Sequence, residues 1–237
     1  MVELFPLSLD GATTSRRGKR LVGPVDLKIS GGRTTAVIGP NGAGKTSLLR
    51  LMHGTARLNA GRIDWACPTD LARHHQAFVF QRPIMLRRSV EDNLIYPLVL
   101  RGARKKETKT AAKTWAQRVG LDQLMQRSAT VLSGGEQQKL AIARALIIEP
   151  ALVFLDEPTA SLDGRSVREI EAILSDARAR GTQLILSTHD MGQARRIADD
   201  VVFLLAGRVH ETGPASEFFD RPETAEARAF LKGDIVE

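Results

Sequence analysis

The sequence predicts an α/β fold: a mostly parallel sheet core of the P-loop type, with an antiparallel β subdomain before it and a helical subdomain inserted into it. Three observations carry this reading. From Ala151 onward, short apolar runs alternate with amphipathic stretches, the pattern of strands separated by helices. A glycine-rich turn at residues 39–46 lies between an apolar run and a helical pattern. Residues 89–149 differ in texture, being rich in Ala, Lys, Arg, Gln and Leu with no β-branched run before Ile147.

Taken in order, residues 2–9, 25–29 and 34–38 read as strands, broken at Gly23-Pro24 and Gly31-Gly32. Residues 45–53 read as a helix with Leu48, Leu49 and Met52 on one face and Gly54 as its stop. A strand at 77–81 follows a polar stretch. The segment 89–149, punctuated by Gly102, Gly120, Gly134 and Gly135, accommodates three or more helices. Residues 152–155 are continuously apolar, as a strand in the middle of a parallel sheet is. Val167, Ile170, Ile173 and Leu174 mark an amphipathic helix that stops at Gly181. Residues 183–187 form another strand, 201–205 pair with 208–211 across Ala206-Gly207, and 224–231 are helix-like.

At 237 residues the chain fills one large domain or two small ones, and about 70–75% of its unfolded surface can be buried. The longest apolar runs, 151–155 and 201–206, are far short of the roughly 20 residues that cross a bilayer. No N-terminal stretch has the make-up of a secretion signal, and the one cysteine, Cys67, excludes an internal disulfide framework. A soluble protein of a reducing, cytoplasmic compartment is expected. Lys and Arg number 34 against 27 Asp and Glu, a net charge of +7 that favours anionic partners. Arg16, Arg17, Lys19 and Arg20 form one basic cluster, and Arg101, Arg104, Lys105, Lys106, Lys109 and Lys113 another. Aromatic residues are only 5% of the chain, which weakens the case for stacking on single-stranded nucleic acid; no nucleic-acid partner is expected.

The strongest local signal is Gly39-Pro40-Asn41-Gly42-Ala43-Gly44-Lys45-Thr46, which matches G-x-x-x-x-G-K-[ST]. Glycines at 39, 42 and 44 let backbone N–H groups turn inward around an anion, and the helix that starts near Lys45 aims its positive end at the same point. Lys45 is expected to bridge the β- and γ-phosphates and the Thr46 hydroxyl to hold magnesium; Ser47 follows in the same helical turn. Such a loop needs a carboxylate for the metal from the end of a neighbouring parallel strand, and Leu152-Val153-Phe154-Leu155-Asp156-Glu157 is expected to supply it. Asp156 is assigned to magnesium. Glu157, one residue further, is assigned to the attacking water.

Ser133-Gly134-Gly135-Glu136 has the form of a capping box, which a plain helix start explains. Two glycines in that first turn are not explained by it. Bare backbone at a helix N-terminus suits a second anion site, and a chain that already cradles one triphosphate has use for it against the nucleotide of a second copy.

With residues 39–46, 132–136 and 152–157 in this order, the chain resembles the ATP-binding subunit of ABC transporters, from about Val2 to Leu231. The resemblance identifies Gln81 as the Q-loop glutamine, Ser161-Leu162-Asp163 as the D-loop and His189 in Ser187-Thr188-His189-Asp190 as the switch histidine. It implies one ATPase unit over 1–237: residues 1–88 a β subdomain with the first part of the core, 89–149 the helical subdomain, 150–237 the rest of the core. It further implies a head-to-tail homodimer with two ATP molecules between the copies. Each ATP would touch residues 39–46 of one copy and Ser133, Gly134 and Gly135 of the other. Gln81 would sense magnesium and water, His189 the γ-phosphate, and Asp163 would cross the interface. The family usually stacks an aromatic on adenine at the position that here is Arg16; two alternatives follow, that Arg16 or Arg17 stacks in its place or that adenine is held loosely.

By the same resemblance the groove beside Gln81 receives a cytoplasmic helix of a membrane permease, with Ile84, Met85 and Leu86 as an apolar socket and Arg87 and Arg88 beside it. The chain is then peripheral on the cytoplasmic face of the inner membrane, working through the permease with a periplasmic solute-binding protein. The run Phe80-Gln81-Arg82-Pro83-Ile84-Met85-Leu86-Arg87-Arg88-Ser89 looks most like tungstate importers, then phosphate and polar amino-acid importers. A soluble ATPase of the iron–sulfur scaffold type is the rival reading.

Overall fold

The computed structural model describes residues 3–234 and 236, with only the backbone of Lys105; Val2, where the first strand was expected to begin, lies outside the described residues. The strands are β1 (Leu7–Arg16), β2 (Lys19–Ile29), β3 (Thr35–Ile38), β4 (Ala60–Asp64), β5 (Gln76–Val79), β6 (Leu152–Asp156), β7 (Gln183–Ser187), β8 (Asp200–Leu205) and β9 (Arg208–Pro214). The helices are α1 (Lys45–His53), α2 (Thr69–His74), α3 (Val90–Leu100), α4 (Lys105–Arg118), α5 (Gly134–Leu146), α6 (Gly164–Ala179), α7 (Met191–Ile197), α8 (Ala215–Asp220) and α9 (Ala225–Lys232).

Two sheets result. The first is antiparallel, in the order β2-β1-β4; the second runs β5-β6-β7-β3-β8-β9, parallel except for the β8–β9 hairpin. Because successive strand residues point to opposite faces, the second sheet is buried on both sides. Ala36, Ile38, Val153, Leu155, Val201 and Phe203 enter the core shared with the helical lobe. Val37, Phe154, Val202 and Leu204 enter a second core with α1 and the antiparallel sheet. The parallel core, the antiparallel β region before it and the helical insertion at α3–α5 are as the sequence predicts.

The boundaries moved where pairing outweighs composition. The first strand continues past Leu9 to Arg16 because Leu7, Leu9, Ala12 and Thr14 alternate inward and β2 supplies backbone partners along the length. The expected break at Gly23-Pro24 is instead a kink inside β2, where Gly23 (φ +116°) turns its N–H to donate to the Gly207 carbonyl at 2.7 Å. Four elements were not expected at all. β4 is an edge strand with no buried side chain, α2 buries only Ala72, α7 has seven residues and owes its start to Asp190, which accepts from Gln193 N–H at 2.9 Å, and the six-residue α8 buries Ala215, Phe218 and Phe219.

One tie fixes the C-terminal helices. The nearly buried Glu211 carboxylate accepts from the backbone N–H groups of Glu223 and Thr224, both at 2.9 Å, and from Thr224 Oγ1 at 2.6 Å. Burial opposes its ionisation, but the hydrogen bonds from Thr224 and Glu223 outweigh it and hold the carboxyl below its ordinary value. A depressed folded-state value stabilises the fold above the ordinary carboxylate range and is lost as pH falls through the folded value. Glu211→Ala should therefore cost about 1–3 kcal/mol in urea unfolding at neutral pH. The gap from the parent should close as acid protonates the parent's carboxylate, and a gap that persists unchanged at low pH would refute this account.

Candidate active site

The turn after β3 is held open by packing as well as by hydrogen bonds. Gly39 has φ +147°, and a Cβ there would stand 2.1 Å from the Leu204 carbonyl oxygen; at Gly44 (φ +103°) it would stand 2.6 Å from Val22 Cγ2. No other residue fits either place. The turn is closed by Ala43 N–H donating to Pro40 O at 3.2 Å and pinned to the β8–β9 hairpin by Gly207 N–H donating to Ala43 O at 2.9 Å. Asn41 and Gly42 stay exposed at its tip. α1 opens directly behind it at Lys45 with no acid in its own first turn, so no residue of the helix itself offsets its positive end there.

Lys45 is only 6% exposed. Its ammonium donates to the carbonyls of Gly39 (2.8 Å) and Pro40 (3.1 Å) and lies 3.8 Å from Glu157 Oε1. Burial lowers its pKa, with Glu157 and Asp156 acting in the opposite sense. The ammonium is therefore a desolvated charge whose present partners are mostly neutral carbonyls.

Asp156 ends β6 at 2% exposure, and its Oδ1 accepts from Thr46 Oγ1 at 2.8 Å. β6 is not the immediate neighbour of β3: β7 lies between them. Two strand spacings of about 4.8 Å separate the strands, and α1 spans them by leaning Thr46 across the sheet end. Glu157 follows in the left-handed region (φ +45°), a conformation that costs a non-glycine residue about 1–3 kcal/mol. That backbone turn brings three groups onto one carboxylate. Glu157 Oε2 accepts from Gln81 Nε2 at 3.1 Å and lies 3.1 Å from His189 Nδ1, while Oε1 faces Lys45.

A second cluster forms elsewhere on the chain. Ser133 caps α5 in a closed capping box: its Oγ accepts from Glu136 N–H at 3.3 Å, and Glu136 Oε2 accepts from Ser133 N–H and Oγ, both at 2.8 Å. Those bonds lower the Glu136 pKa. The plain helix start and the pair of bare glycines thus coexist. Asp163 caps α6, accepting from Arg165 N–H (2.9 Å), Ser166 N–H (3.0 Å) and Ser166 Oγ (2.8 Å). The two helix tips touch, since a Cβ at Gly135 would lie 2.7 Å from Ser166 Oγ. Among the described residues no hydrogen bond joins this cluster to the turn at 39–46.

Arg16 sits at the exposed end of the β1–β2 hairpin, paired with Lys19; from that sheet it is Leu21 and Val22 that reach the glycine turn. The segment after Gln81 splits, with Ile84 71% exposed and Met85 packed against the main core. Three residues with no assigned role organise the site. Ser187 binds Asp156. Arg144 donates to the Ile84 carbonyl (2.8 Å) and to Asn93 Oδ1 (3.2 Å), tying α5 to the segment that carries Gln81. Gln193 Nε2 donates to Thr159 Oγ1 at 2.9 Å, linking α7 to the loop before α6. Each joins residues distant in sequence, so no local spacing announces it.

The family model described as "ABC transporter" matches residues 22–160. The phosphate import ATP-binding protein PstB 2 of Natronomonas pharaonis is 38% identical over 251 residues, covering 97% of this chain and 87% of that protein. The tungstate uptake system ATP-binding protein TupC of Peptoclostridium acidaminophilum is also 38% identical, over 90% of this chain and 99% of its own length. Among solved structures, the dimeric ATP-binding cassette MJ0796, in a post-hydrolysis state with ADP and Pi, is 26% identical and superposes with a TM-score of 0.79 over 88% of this chain and 98% of that one.

Proposed function

This chain belongs to the ABC transporter family as an ATP-binding, ATP-hydrolysing subunit, and from that premise we propose that it powers uptake of an oxyanion by closing on ATP as a homodimer. The observation that carries the ATPase assignment is the convergence of Lys45, the Thr46–Asp156 pair and the Gln81–Glu157–His189 group at the C-terminal ends of β3, β5, β6 and β7. Backbone N–H groups of residues 39–46 and the start of α1 hold the phosphates, and Lys45 exchanges its carbonyl partners for phosphate oxygens. The donor set also fits magnesium: one hydroxyl and one carboxylate, with the Gln81 amide close by, are hard oxygen ligands of the kind that ion takes beside phosphate oxygens. Thr46, Asp156 and Gln81 would hold it, and it would neutralise charge on the transferring phosphoryl group.

Glu157 takes the proton of the attacking water as the new P–O bond forms and the bond to the ADP oxygen breaks. Gln81 and His189, now on the same carboxylate oxygen, orient that water and the γ-phosphate. The phosphate edge facing away from α1 is completed by Ser133, Gly134 and Gly135 of a second copy, with Asp163 at the shared boundary. The separation of the two clusters within one chain supports this division, as does the dimeric solved relative. Arg16 is the candidate for adenine. The unit spans 1–237, with the helical part at 89–149.

No described helix is long and apolar enough to cross a membrane, so work on a solute passes through a membrane permease, with the ATPase peripheral on its cytoplasmic face. The exposed Ile84 beside Gln81 suits the permease contact, and a periplasmic solute-binding protein completes the importer. Relatives at 38% identity carry names for phosphate, tungstate and nickel; the first two solutes are tetrahedral oxyanions, which supports that cargo class and, with the run 80–89, tungstate within it.

A mixing assay tests the shared site. Gly135 is a poor probe, because its side chain would strike Ser166 within the same copy. A Cβ at Gly134 meets only Leu162 Cδ2, at 4.0 Å, so Gly134→Asp repels phosphate with the helix intact. Lys45→Ala and Gly134→Asp copies should each be inactive alone. Mixed equally, half the dimers are heterodimers with one intact site, about a quarter of the parent's sites. A mixture no more active than its components would refute the shared site.

A further inference from the structure

We infer that Ser187 is a positioning residue for hydrolysis: its hydroxyl sets both the metal-side carboxylate of Asp156 and the backbone turn that presents Glu157. The inference rests on the ATPase reading of those two acids.

Ser187 ends β7, the strand inserted between the one that carries the phosphate loop and the one that carries the acids. It pairs in register with Val37 on one side and with Asp156 on the other. It is fully buried, at 0% exposure. A buried hydroxyl must find partners, and this one finds both in the adjacent acid pair. Its O–H donates to Asp156 Oδ1 at 2.8 Å, the oxygen that also takes the Thr46 hydroxyl. With two donors on Oδ1, the carboxylate is locked in rotation about its terminal torsion, and Oδ2 is the oxygen left to turn outward.

The same hydroxyl oxygen accepts from Glu157 N–H at 3.1 Å, and the Ser187 carbonyl shares that N–H at 3.1 Å. This matters because Glu157 is left-handed at φ +45°, a state that persists in a non-glycine residue only when its surroundings hold it. The ring from Glu157 N–H to Ser187 Oγ to Asp156 Oδ1 supplies that hold. It points the Glu157 side chain at Gln81, His189 and Lys45 rather than along the strand direction. An alanine at 187 keeps the strand and the shared carbonyl bond, yet loses the link between the two acids.

The test is steady-state ATP hydrolysis by the full chain with magnesium, alongside nucleotide affinity by calorimetry under non-hydrolysing conditions and the melting temperature. Ser187→Ala should lower kcat about 5–20-fold, the scale of losing one charge-assisted positioning bond, with KM and nucleotide Kd within about twofold and the melting temperature within a few degrees. Ser187→Thr, which restores the hydroxyl, should recover kcat to within about threefold of the parent. Three results would each overturn the inference: an alanine variant as fast as the parent, a loss of kcat matched by an equal loss of nucleotide affinity, and a threonine variant that binds nucleotide but stays as slow as alanine. An inactive parent would instead overturn the ATPase reading itself, so the two failures are distinguishable.

Discussion

Glu157→Gln is expected to cut ATP turnover by about 10²–10⁴-fold, the range that a positioned general base contributes, while leaving ATP binding close to that of the parent. The amide keeps an acceptor oxygen, so the left-handed turn at 157 and the approach of Gln81 survive the substitution. What it removes is the ability to take a proton from water. With the γ-phosphate retained, the two copies stay closed around ATP, because a ligand that binds the closed state better shifts the population towards it. Size-exclusion chromatography should then show the dimer accumulating with ATP and dispersing with ADP. A monomeric variant of full activity would remove Glu157 from the mechanism.

Lys45→Ala is expected to act on the other half of the cycle. The Lys45 ammonium is desolvated, lies 3.8 Å from Glu157 and is otherwise held by the neutral carbonyls of Gly39 and Pro40. A triphosphate offers it charged acceptors in exchange, and charge-assisted hydrogen bonds are worth about 1.5–3 kcal/mol each. Losing one of them should weaken ATP binding about 10–150-fold. The thermal shift caused by ATP should shrink accordingly, since ligand stabilisation follows RT ln(1 + [L]/Kd). The apo melting temperature should change little, because relief of the cost of burying the charge offsets the loss of its two hydrogen bonds to the Gly39 and Pro40 carbonyls. Unchanged calorimetric affinity would mean that the loop does not hold phosphate through this residue.

How much of this was legible beforehand varies element by element. The run from Thr35 to Gly54 was readable almost to the residue, because an apolar strand, a glycine turn and an amphipathic helix with a left-handed glycine stop are local devices. β6 and α6 were readable for the same reason, through a continuous apolar run and a 3.6-residue stripe. β4 and α2 were not, since their side chains are mostly exposed and leave no periodic trace. The acids at 156 and 157 were placed correctly next to the loop, but through one strand too few, because strand order in a parallel sheet depends on pairings between segments far apart in the chain. The apolar triplet after Gln81 read as one unit, yet Arg144 and Asn93 reach into that segment and leave Ile84 outward and Met85 inward.

The amino-acid order by itself carried the proposed chemistry: a glycine turn with Lys45 for phosphate, the adjacent Asp156 and Glu157 for metal and water, and a second bare helix tip for an anion. Those features reside in short stretches whose backbone geometry follows from glycine, capping and periodicity. Only the tertiary structure decided that β7 separates the loop from the acids, that Ser187 joins the two acids to each other, and that the helix tips of Ser133 and Asp163 stand together, apart from the loop. The reason is physical. The Thr46–Asp156 and Ser187–Asp156 bonds span 110 and 31 residues, and a hydrogen bond between distant positions exists only once the sheet has brought its strand ends to one edge.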